Sequence, residues 1–227
     1  EHILKKIGVE PSGEAFNSIV ELEKQTHRPY NPMVNSGAIV ISGWIRGNNL
    51  LEKRKNVLSH FSDYLPHSLT IDEKIYESER KTAHRNRSIA HLLRHFGVIE
   101  SDIEETLDIY FKQCSIMVST VDLAMMAATL ANGGIQPITK KVALKKECVG
   151  DMLALMFTCG MYDSSGEWAY NVGIPAKSGV SGAIFGVIPG KMGIAVYSPA
   201  INEKGNSVRG LNVFRELSQE LGLSIFR

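Results

Sequence analysis

The feature that most constrains the fold is a change in sequence character near residue 165. Before it, apolar residues recur at three- and four-residue steps between charged ones, as in helices that bury one face. After it, β-branched and glycine-rich runs at 169–175, 179–188 and 192–197 indicate an antiparallel meander. The amphipathic stretch Gly210–Leu221 predicts a helix that packs on that sheet. This order predicts an α+β protein, mainly helical over 1–165, with the sheet and a C-terminal helix over 166–227.

Cap residues predict several helix boundaries. An Asn-Ser pair precedes the apolar run 37–45, whose composition permits a strand, although we favour a helix capped at that pair. The stripe of apolar residues over 78–96 predicts one continuous helix. Ser101 followed by Glu104 predicts a capping box at the start of the next helix.

Charge and composition exclude several classes of protein. The chain has 227 residues, a net charge of +1 and 44% hydrophobic residues, which disfavours disorder and a nucleic-acid-binding surface. Gly and Pro interrupt the uncharged stretches before they reach the ~20 apolar residues of a membrane span. Cys114, Cys148 and Cys159 form no C-x-x-C pair, so we expect reduced thiols and a cytoplasmic location.

The first residues suggest that the sequence is part of a longer protein. Glu1 is not an initiator methionine, and Ile3, Leu4 and Ile7 lie on one helical stripe. We therefore expect the chain to begin inside a helix.

The sharpest chemical feature is Lys177-Ser178-Gly179 at the entry to a glycine-rich strand. Penicillin-recognising serine acyltransferases carry a K-T-G strand of this type, in which the lysine supplies positive charge and the strand edge supplies N–H donors. The tripeptide alone is a weak signal, because chance matches are common and, taken by itself, it is better explained by a glycine-rich hairpin with a solvated lysine.

Two further patterns are weaker. Such enzymes also need an S-x-x-K, and the match here, Ser78 with Lys81, lies in a charged segment that would keep the lysine solvated. His84, His91 and His95 could share a helix face, but no further ligand completes a metal set, so a solvated face is favoured.

Several polar residues admit both a functional and a structural interpretation. Tyr162 follows a helix in a glycine-broken loop, and it could act as a base only if a cation such as Lys177 lowered its pKa. Asn35 and Asn86 can each present a donor and an acceptor to an amide, or cap a helix. On periodicity alone, Tyr110 is a core residue rather than a catalytic one.

Taken in order, a set of motifs resembles the serine-dependent glutaminase family over most of the chain, from about Glu10 to Phe226. The motifs are EPSG, FNSIVELE, NPMVNSGAI, SER followed by HRN, DIYFKQCSI, LANGG, CGMY, GIPAKSGVSG and GNSVRG. FNSIVELE and the closing LSIF resemble the bacterial branch more than the animal forms.

This resemblance implies a β-lactamase/transpeptidase-like fold and hydrolysis of L-glutamine to L-glutamate and ammonia. It implies no metal or other cofactor, no nucleic-acid or membrane partner, and a homodimer or homotetramer. By their motifs, the implied substrate contacts are Asn35, Glu79, Asn86, Tyr110, Tyr162 and Val180, with Tyr162 and Lys177 as catalytic groups. Glu79 would pair with the substrate ammonium group, and the Val180 N–H would help to hold the oxyanion.

The sequence departs from the family pattern in one respect. The family's S-x-x-K lies about one helix before EPSG, so we expect the nucleophile, its lysine, their helix and the early strands to precede Glu1. We therefore expect the 227-residue chain alone to be inactive. The alternatives are another penicillin-recognising-type serine hydrolase, or an inactive glutaminase-like partner chain.

Overall fold

The computed structural model describes residues 5–24 and 26–227, so the start of the predicted N-terminal helix, at Ile3 and Leu4, lies outside the described residues. The chain divides into two compact units. The first contains the chain up to Ser62 together with Ser68–Met117, and the second contains Asp63–His67 together with Val118–Arg227. That residues 1–227 act as a single catalytic domain stays a prediction.

The first unit is mainly helical. A short sheet within it pairs β1, Thr70–Ile71, antiparallel with β2, Ile116–Met117. Next to this pair, the Asp72 N–H donates to the Ser115 carbonyl at 2.9 Å, which ties the start of one helix to the end of another. The helices are a 3₁₀ helix at Val20–Glu23, α1 at Asn35–Ser42, α2 at Leu50–Ser62, α3 at Glu73–Thr82, α4 at His84–His95 and α5 at Ile103–Cys114.

Three local predictions in this unit meet different outcomes. The helix favoured over a strand at 37–45 is confirmed as α1, but its N-cap is Val34, which makes no side-chain cap, because the Asn35 side chain bonds elsewhere. The single helix predicted over 78–96 is wrong, since Ala83, with a ψ of 49°, separates α3 from α4. The capping box at Ser101 is also wrong, because Asp102 caps α5 by accepting from the Glu105 N–H at 2.8 Å.

The core of the first unit joins its helices through fully buried apolar side chains. Burial of one such side chain contributes about 1.5–3 kcal/mol. Because most of them come from α1, α4 and α5, the core holds together the helices that carry Asn35, Asn86 and Tyr110. Large members include Ile7, Leu22, Ile39, Ile89, Leu93, Leu107 and Phe111.

The second unit combines a three-stranded antiparallel sheet with helices. The sheet order is β3-β4-β5, from Ala176–Ser178, Ala183–Ile188 and Met192–Tyr197. In register, Lys177 lies opposite Phe185. The helices are α6 at Thr120–Ala131, α7 at Lys146–Cys159, α8 at Ser165–Asn171 and α9 at Val208–Glu220, with a 3₁₀ turn at Tyr162–Ser164.

The first strand predicted in this unit, at 169–175, is wrong. Residues up to Asn171 belong to α8, which ends where Gly173 adopts a φ of 67°, and the strand begins only at Ala176. The cause is Trp168, whose indole is buried in the core and donates to the Ile174 carbonyl at 2.6 Å. Burial of this large side chain overrides the β propensity of the residues that follow.

Two glycines let helices approach both faces of the sheet. A Cβ on Gly193 of β5 would lie 2.3 Å from the backbone nitrogen of Ala128 in α6. A Cβ on Gly186 of β4 would lie 2.7 Å from the ring of Phe214 in α9. Gly186 pairs with Ile194, one residue beyond Gly193, so the two glycines point to opposite faces. The sheet of this unit is therefore covered by α6 on one side and α9 on the other.

A capping box and two glycines mark the ends of α6. The Ser119 hydroxyl accepts from the Asp122 N–H while the Asp122 carboxylate accepts from the Ser119 N–H, which completes a capping box. After the helix, Gly133 and Gly134 both have positive φ angles, 68° and 86°, which a glycine adopts without steric cost.

Within residues 5–24 and 26–227, no helix is long and apolar enough to cross a bilayer. The three cysteines are free thiols, with Cys159 buried and the other two at the surface.

Candidate active site

Asn35 and Asn86 meet in the first unit, although they are 51 positions apart in sequence. The Asn35 side-chain amide donates to the Asn86 Oδ1 at 3.0 Å, and both residues are half-buried. This bond does not use the Asn35 Oδ1 or the Asn86 NH₂ group. The pair therefore offers an acceptor and a donor side by side, as recognition of a carboxylate or an amide requires.

A buried carboxylate holds the start of α1, which carries Asn35. The Ser36 hydroxyl donates to Glu21, which is only 2% exposed. Burial raises the pKa of Glu21 despite the opposing hydrogen bond from Ser36. Sequence reasoning missed this pair, since nothing in VELE distinguishes a buried glutamate from a surface one.

Glu79 and Tyr110 both interact with Cys114. Tyr110 is buried, and its side chain hydrogen-bonds the Cys114 sulfur. The Glu79 carboxylate interacts electrostatically with the same thiol. Desolvation raises the pKa of Cys114 to about 11, the hydrogen bond from Tyr110 opposes this, and Glu79 adds to it. The thiol is thus protonated at neutral pH and is not a nucleophile. A half-buried carboxylate and a phenol from different helices thus both interact with this thiol, and these are groups that can bind an ammonium ion.

In the second unit, Tyr162 occupies a strained turn. Its φ is 57°, a conformation that costs a non-glycine residue about 1–3 kcal/mol. Ser165 braces the turn, since its hydroxyl accepts from the Met161 N–H at 3.2 Å and donates to the Tyr162 carbonyl at 2.9 Å. Gly160, just before, packs so closely that a Cβ there would lie 1.8 Å from the Ala176 carbonyl oxygen.

Tyr162 and Lys177 converge on one carbonyl at the end of β3. The Tyr162 hydroxyl donates to the Ser178 carbonyl oxygen at 2.9 Å, and the Lys177 ammonium donates to the same oxygen. The Lys177 Nζ also lies 4.3 Å from the centre of the Tyr162 ring. The structure thus brings together the two residues that the sequence singled out as catalytic.

The pKa of Tyr162 differs from the value that a catalytic base beside Lys177 would need. Burial raises the pKa of Tyr162 to about 12, so the idea that Lys177 lowers it is wrong. Desolvation lowers the pKa of Lys177 to about 8. At neutral pH, Tyr162 is therefore a hydrogen-bond donor and Lys177 a cation close to its titration point.

Val180 lies in the turn between β3 and β4, two residues after the shared carbonyl. The turn is closed by bonds from the Gly179 N–H to Ala183 and from the Gly182 N–H to Gly179, both 2.9 Å. Gly182 adopts a φ of 97°. Among the residues the structure describes, the Val180 N–H has no hydrogen-bond partner, and the residue is 48% exposed. An unpaired backbone donor is the element from which an oxyanion hole is built.

The relatives of this chain show the family to which it belongs. A sequence profile of the glutaminase family matches residues 1–226. The chain belongs to the glutaminase family. It is 53% identical to a glutaminase of Trichormus variabilis over 226 residues, which are 100% of this chain and 67% of that protein. A Clostridium tetani glutaminase is 46% identical and is covered over 74% of its length.

Solved glutaminase structures share the fold. A probable glutaminase of Bacillus subtilis matches with a TM-score of 0.95 and 40% identity, over 99% of this chain and 76% of that one. The probable glutaminase ybaS matches with a TM-score of 0.96 and 39% identity, over 100% of this chain and 73% of that one. The fold is therefore the β-lactamase-like fold of bacterial glutaminases, which agrees with the predicted α+β class.

The remaining candidates of this glutaminase-family chain lie at the surface. Ser78 and Lys81 are both exposed on α3, so water surrounds the amine that would have to accept the serine proton. His84, His91 and His95 are exposed along α4. In the described part of the chain, no group of three or more His, Cys, Asp or Glu side chains is arranged to hold a metal ion.

The predicted site residues are distributed over both units. Tyr162, Lys177 and Val180 belong to the second unit. Asn35, Glu79, Asn86 and Tyr110 belong to the first.

Proposed function

We propose that this chain forms the substrate-binding and proton-transfer part of a glutaminase that hydrolyses L-glutamine to L-glutamate and ammonia. The observation that carries the proposal is the convergence of Tyr162 and Lys177 on the Ser178 carbonyl, beside the unpaired Val180 N–H. Two solved relatives support the substrate. The glutaminase Mglu was solved in its glutamate form, and a Bacillus subtilis glutaminase formed a covalent complex with 5-oxo-L-norleucine.

The proposed reaction passes through a serine acyl-enzyme. A serine oxygen attacks the side-chain amide carbon, its proton passes to the departing nitrogen, and ammonia leaves a glutamyl ester. Water then attacks the ester, which gives glutamate and restores the serine hydroxyl. We propose that the serine belongs to an S-x-x-K that precedes Glu1. The covalent complex of the Bacillus subtilis relative supports such an intermediate, and the solvated Ser78 does not suit the role.

The second unit provides the groups for charge and proton control. The Val180 N–H donates to the carbonyl oxygen as it becomes negative, where a fixed donor gains most strength. Lys177 adds positive charge. Tyr162, protonated because its pKa is about 12, relays a proton through its hydroxyl rather than acting as a free phenolate.

The first unit provides the groups that recognise an amino acid. Glu79 pairs with the α-ammonium group, and buried Tyr110 lines that position. Asn35 and Asn86 use their remaining acceptor and donor for polar groups of the substrate.

We also propose a homodimer or homotetramer in the cytoplasm. Three free thiols suit a reducing compartment, and light scattering of the purified protein measures the assembly.

The decisive experiment is glutamine-dependent ammonia release by the protein from its complete reading frame, beside the 227-residue chain. We expect the full protein to be active, the chain to be inactive, and Lys177→Ala and Tyr162→Phe in the full protein to be impaired. Ser78→Ala is the control and should keep full activity. Activity in the 227-residue chain would refute an upstream nucleophile. If the full protein released no ammonia from glutamine but hydrolysed a β-lactam, the alternative serine hydrolase would replace the proposal. No activity on either substrate would favour the inactive partner chain.

A further inference from the structure

The GNSVRG segment contains two fully buried polar residues, Asn206 and Ser207, that the proposed mechanism does not use. Asn206 is fully buried in a loop where Gly205 has a φ of 83°. The Asn206 N–H donates to the Asn202 Oδ1 at 3.0 Å, and the Asn202 N–H donates back to the Asn206 carbonyl at 2.8 Å. This reciprocal pair fixes the Asn206 backbone, so its side chain has a defined direction.

That side chain reaches the turn that carries Tyr162. The Asn206 NH₂ group donates to the Met161 carbonyl oxygen at 3.4 Å and to the Ser164 Oγ at 3.3 Å. Both bonds are near the long end of the hydrogen-bond range, but they contact the two residues that flank the turn. One amide therefore bridges both sides of Tyr162 from a segment more than 40 positions away.

The bond to the Met161 carbonyl acts on the strained dihedral itself. The Met161 carbonyl belongs to the peptide plane before Tyr162, and φ of Tyr162 is the rotation of that plane about its N–Cα bond. To relax from 57° to a negative φ, the plane must turn and the carbonyl must leave the Asn206 amide. The same rotation would withdraw the Tyr162 hydroxyl from the Ser178 carbonyl.

The Asn206 Oδ1 indicates that packing alone does not explain this residue. Among the described residues this buried oxygen has no hydrogen-bond partner. A buried, unpaired acceptor is unfavourable, and an apolar side chain of similar shape would avoid it. The gain must then lie in the NH₂ group, which contacts the turn.

We propose that Asn206 is a positioning residue that holds Tyr162 in its left-handed conformation and so aims the phenol at the end of β3. The inference rests on the proposed function, because it treats Tyr162 as the group that handles the proton. It predicts that Asn206 affects catalysis only through Tyr162.

The test uses the full protein with Asn206→Ala and Asn206→Asp, with Ser207→Ala as the matched control. Ser207 is a buried neighbour that donates to the Ser198 carbonyl at 2.8 Å and caps α9, but it makes no bond to the tyrosine turn. For glutamine hydrolysis we expect both Asn206 variants to lose about tenfold to a hundredfold in kcat, as misplacement of a reacting group does. Ser207→Ala should lower Tm while leaving kcat within about twofold.

The N206D variant adds a pH signature. A buried carboxyl has a raised pKa, and only its protonated form can donate to the Met161 carbonyl. We therefore expect the ratio of N206D activity to wild-type activity to rise as the pH falls, whereas the N206A ratio stays constant. A constant N206D ratio would contradict the role of the donor.

A double-mutant comparison separates positioning from general damage. In a Tyr162→Phe background, removal of the Asn206 amide should cost no further activity. If the Asn206 and Tyr162 losses multiply, the inference is overturned. If the wild-type protein hydrolyses no glutamine, the proposed function fails instead. Crystal structures of wild type and N206A then decide the inference alone, since an unchanged φ at Tyr162 in N206A would overturn it.

Discussion

Replacement of Lys177 by methionine should stabilise the protein while abolishing its activity. Methionine is close in length to lysine and carries no charge to desolvate. The charged Lys177 side chain lowers the free energy of unfolding, because it is desolvated in the folded protein. This desolvation lowers its pKa to about 8. Activity depends on this charge under the proposed mechanism, so the substitution sets stability against function.

The magnitude follows from linkage between protonation and folding. In the unfolded chain lysine has a pKa near 10.5, and the gap to about 8 corresponds to about 3 kcal/mol. Below pH 8 the lysine is charged in both states, so the folded state carries the whole penalty. Between pH 8 and 10.5 the folded state releases its proton first, so the free energy of unfolding rises with pH. The lost hydrogen bond to Ser178 offsets about 1 kcal/mol, which leaves a gain of about 2 kcal/mol at pH 7.

Urea denaturation of the full protein at pH 7 and pH 10 measures this effect. We expect Lys177→Met to be more stable than wild type at pH 7, and the difference to shrink at pH 10. Lys191→Met, on the exposed turn between β4 and β5, is the matched control and should change stability equally at both pH values. A Lys177→Met protein that is less stable at pH 7 would refute the reasoning.

Three further predictions concern the site and the packing that supports it. The kcat/KM for glutamine should fall as the pH rises through about 8, where Lys177 loses its charge, and a pH profile that stays flat to pH 10 would contradict this. Glu79→Gln should raise KM by about tenfold to a hundredfold, because a charge-assisted bond to the ammonium is lost, whereas Glu77→Gln on the same helix should leave KM unchanged in steady-state assays. Gly193→Ala should lower the free energy of unfolding by about 2 kcal/mol or more in urea, since its Cβ would lie 2.3 Å from the backbone of α6. Gly150→Ala in α7, where nothing lies within 4 Å, should instead be neutral or stabilising.

Elements specified by nearby residues could be predicted from the sequence. The strands expected within 179–188 and 192–197 and the helix expected at 210–221 each depend on consecutive positions, and the structure has them there as β4, β5 and α9. Predictions failed where a distant contact competed with a local preference. The strand expected at 169–175 is displaced by the burial of Trp168 in the core. The cap expected at Ser101 failed for a local reason, because the neighbouring Asp102 caps the helix.

In the candidate site, the residues could be predicted from the sequence but their pKa values could not. The residue types and the order of the motifs are visible in the sequence, so Tyr162 and Lys177 could be predicted as site residues from the sequence. The protonation states of these two residues could not be predicted from the sequence, because a pKa depends on which groups exclude water and where a charge lies relative to the titrating atom. Burial of the Tyr162 side chain raises its pKa to about 12, so the downward shift that a base at neutral pH needs is absent.

The sequence by itself determined the α+β class, most helix positions and the resemblance to glutaminases, since these follow from periodicity, capping and motifs along the chain. Only the tertiary structure decided that Asn35 bonds Asn86 and that Glu21 is buried against Ser36. It also decided that Asn206 reaches the turn of Tyr162. Each of these contacts joins positions far apart in sequence, where packing of the core, and no local propensity, sets the distance between them.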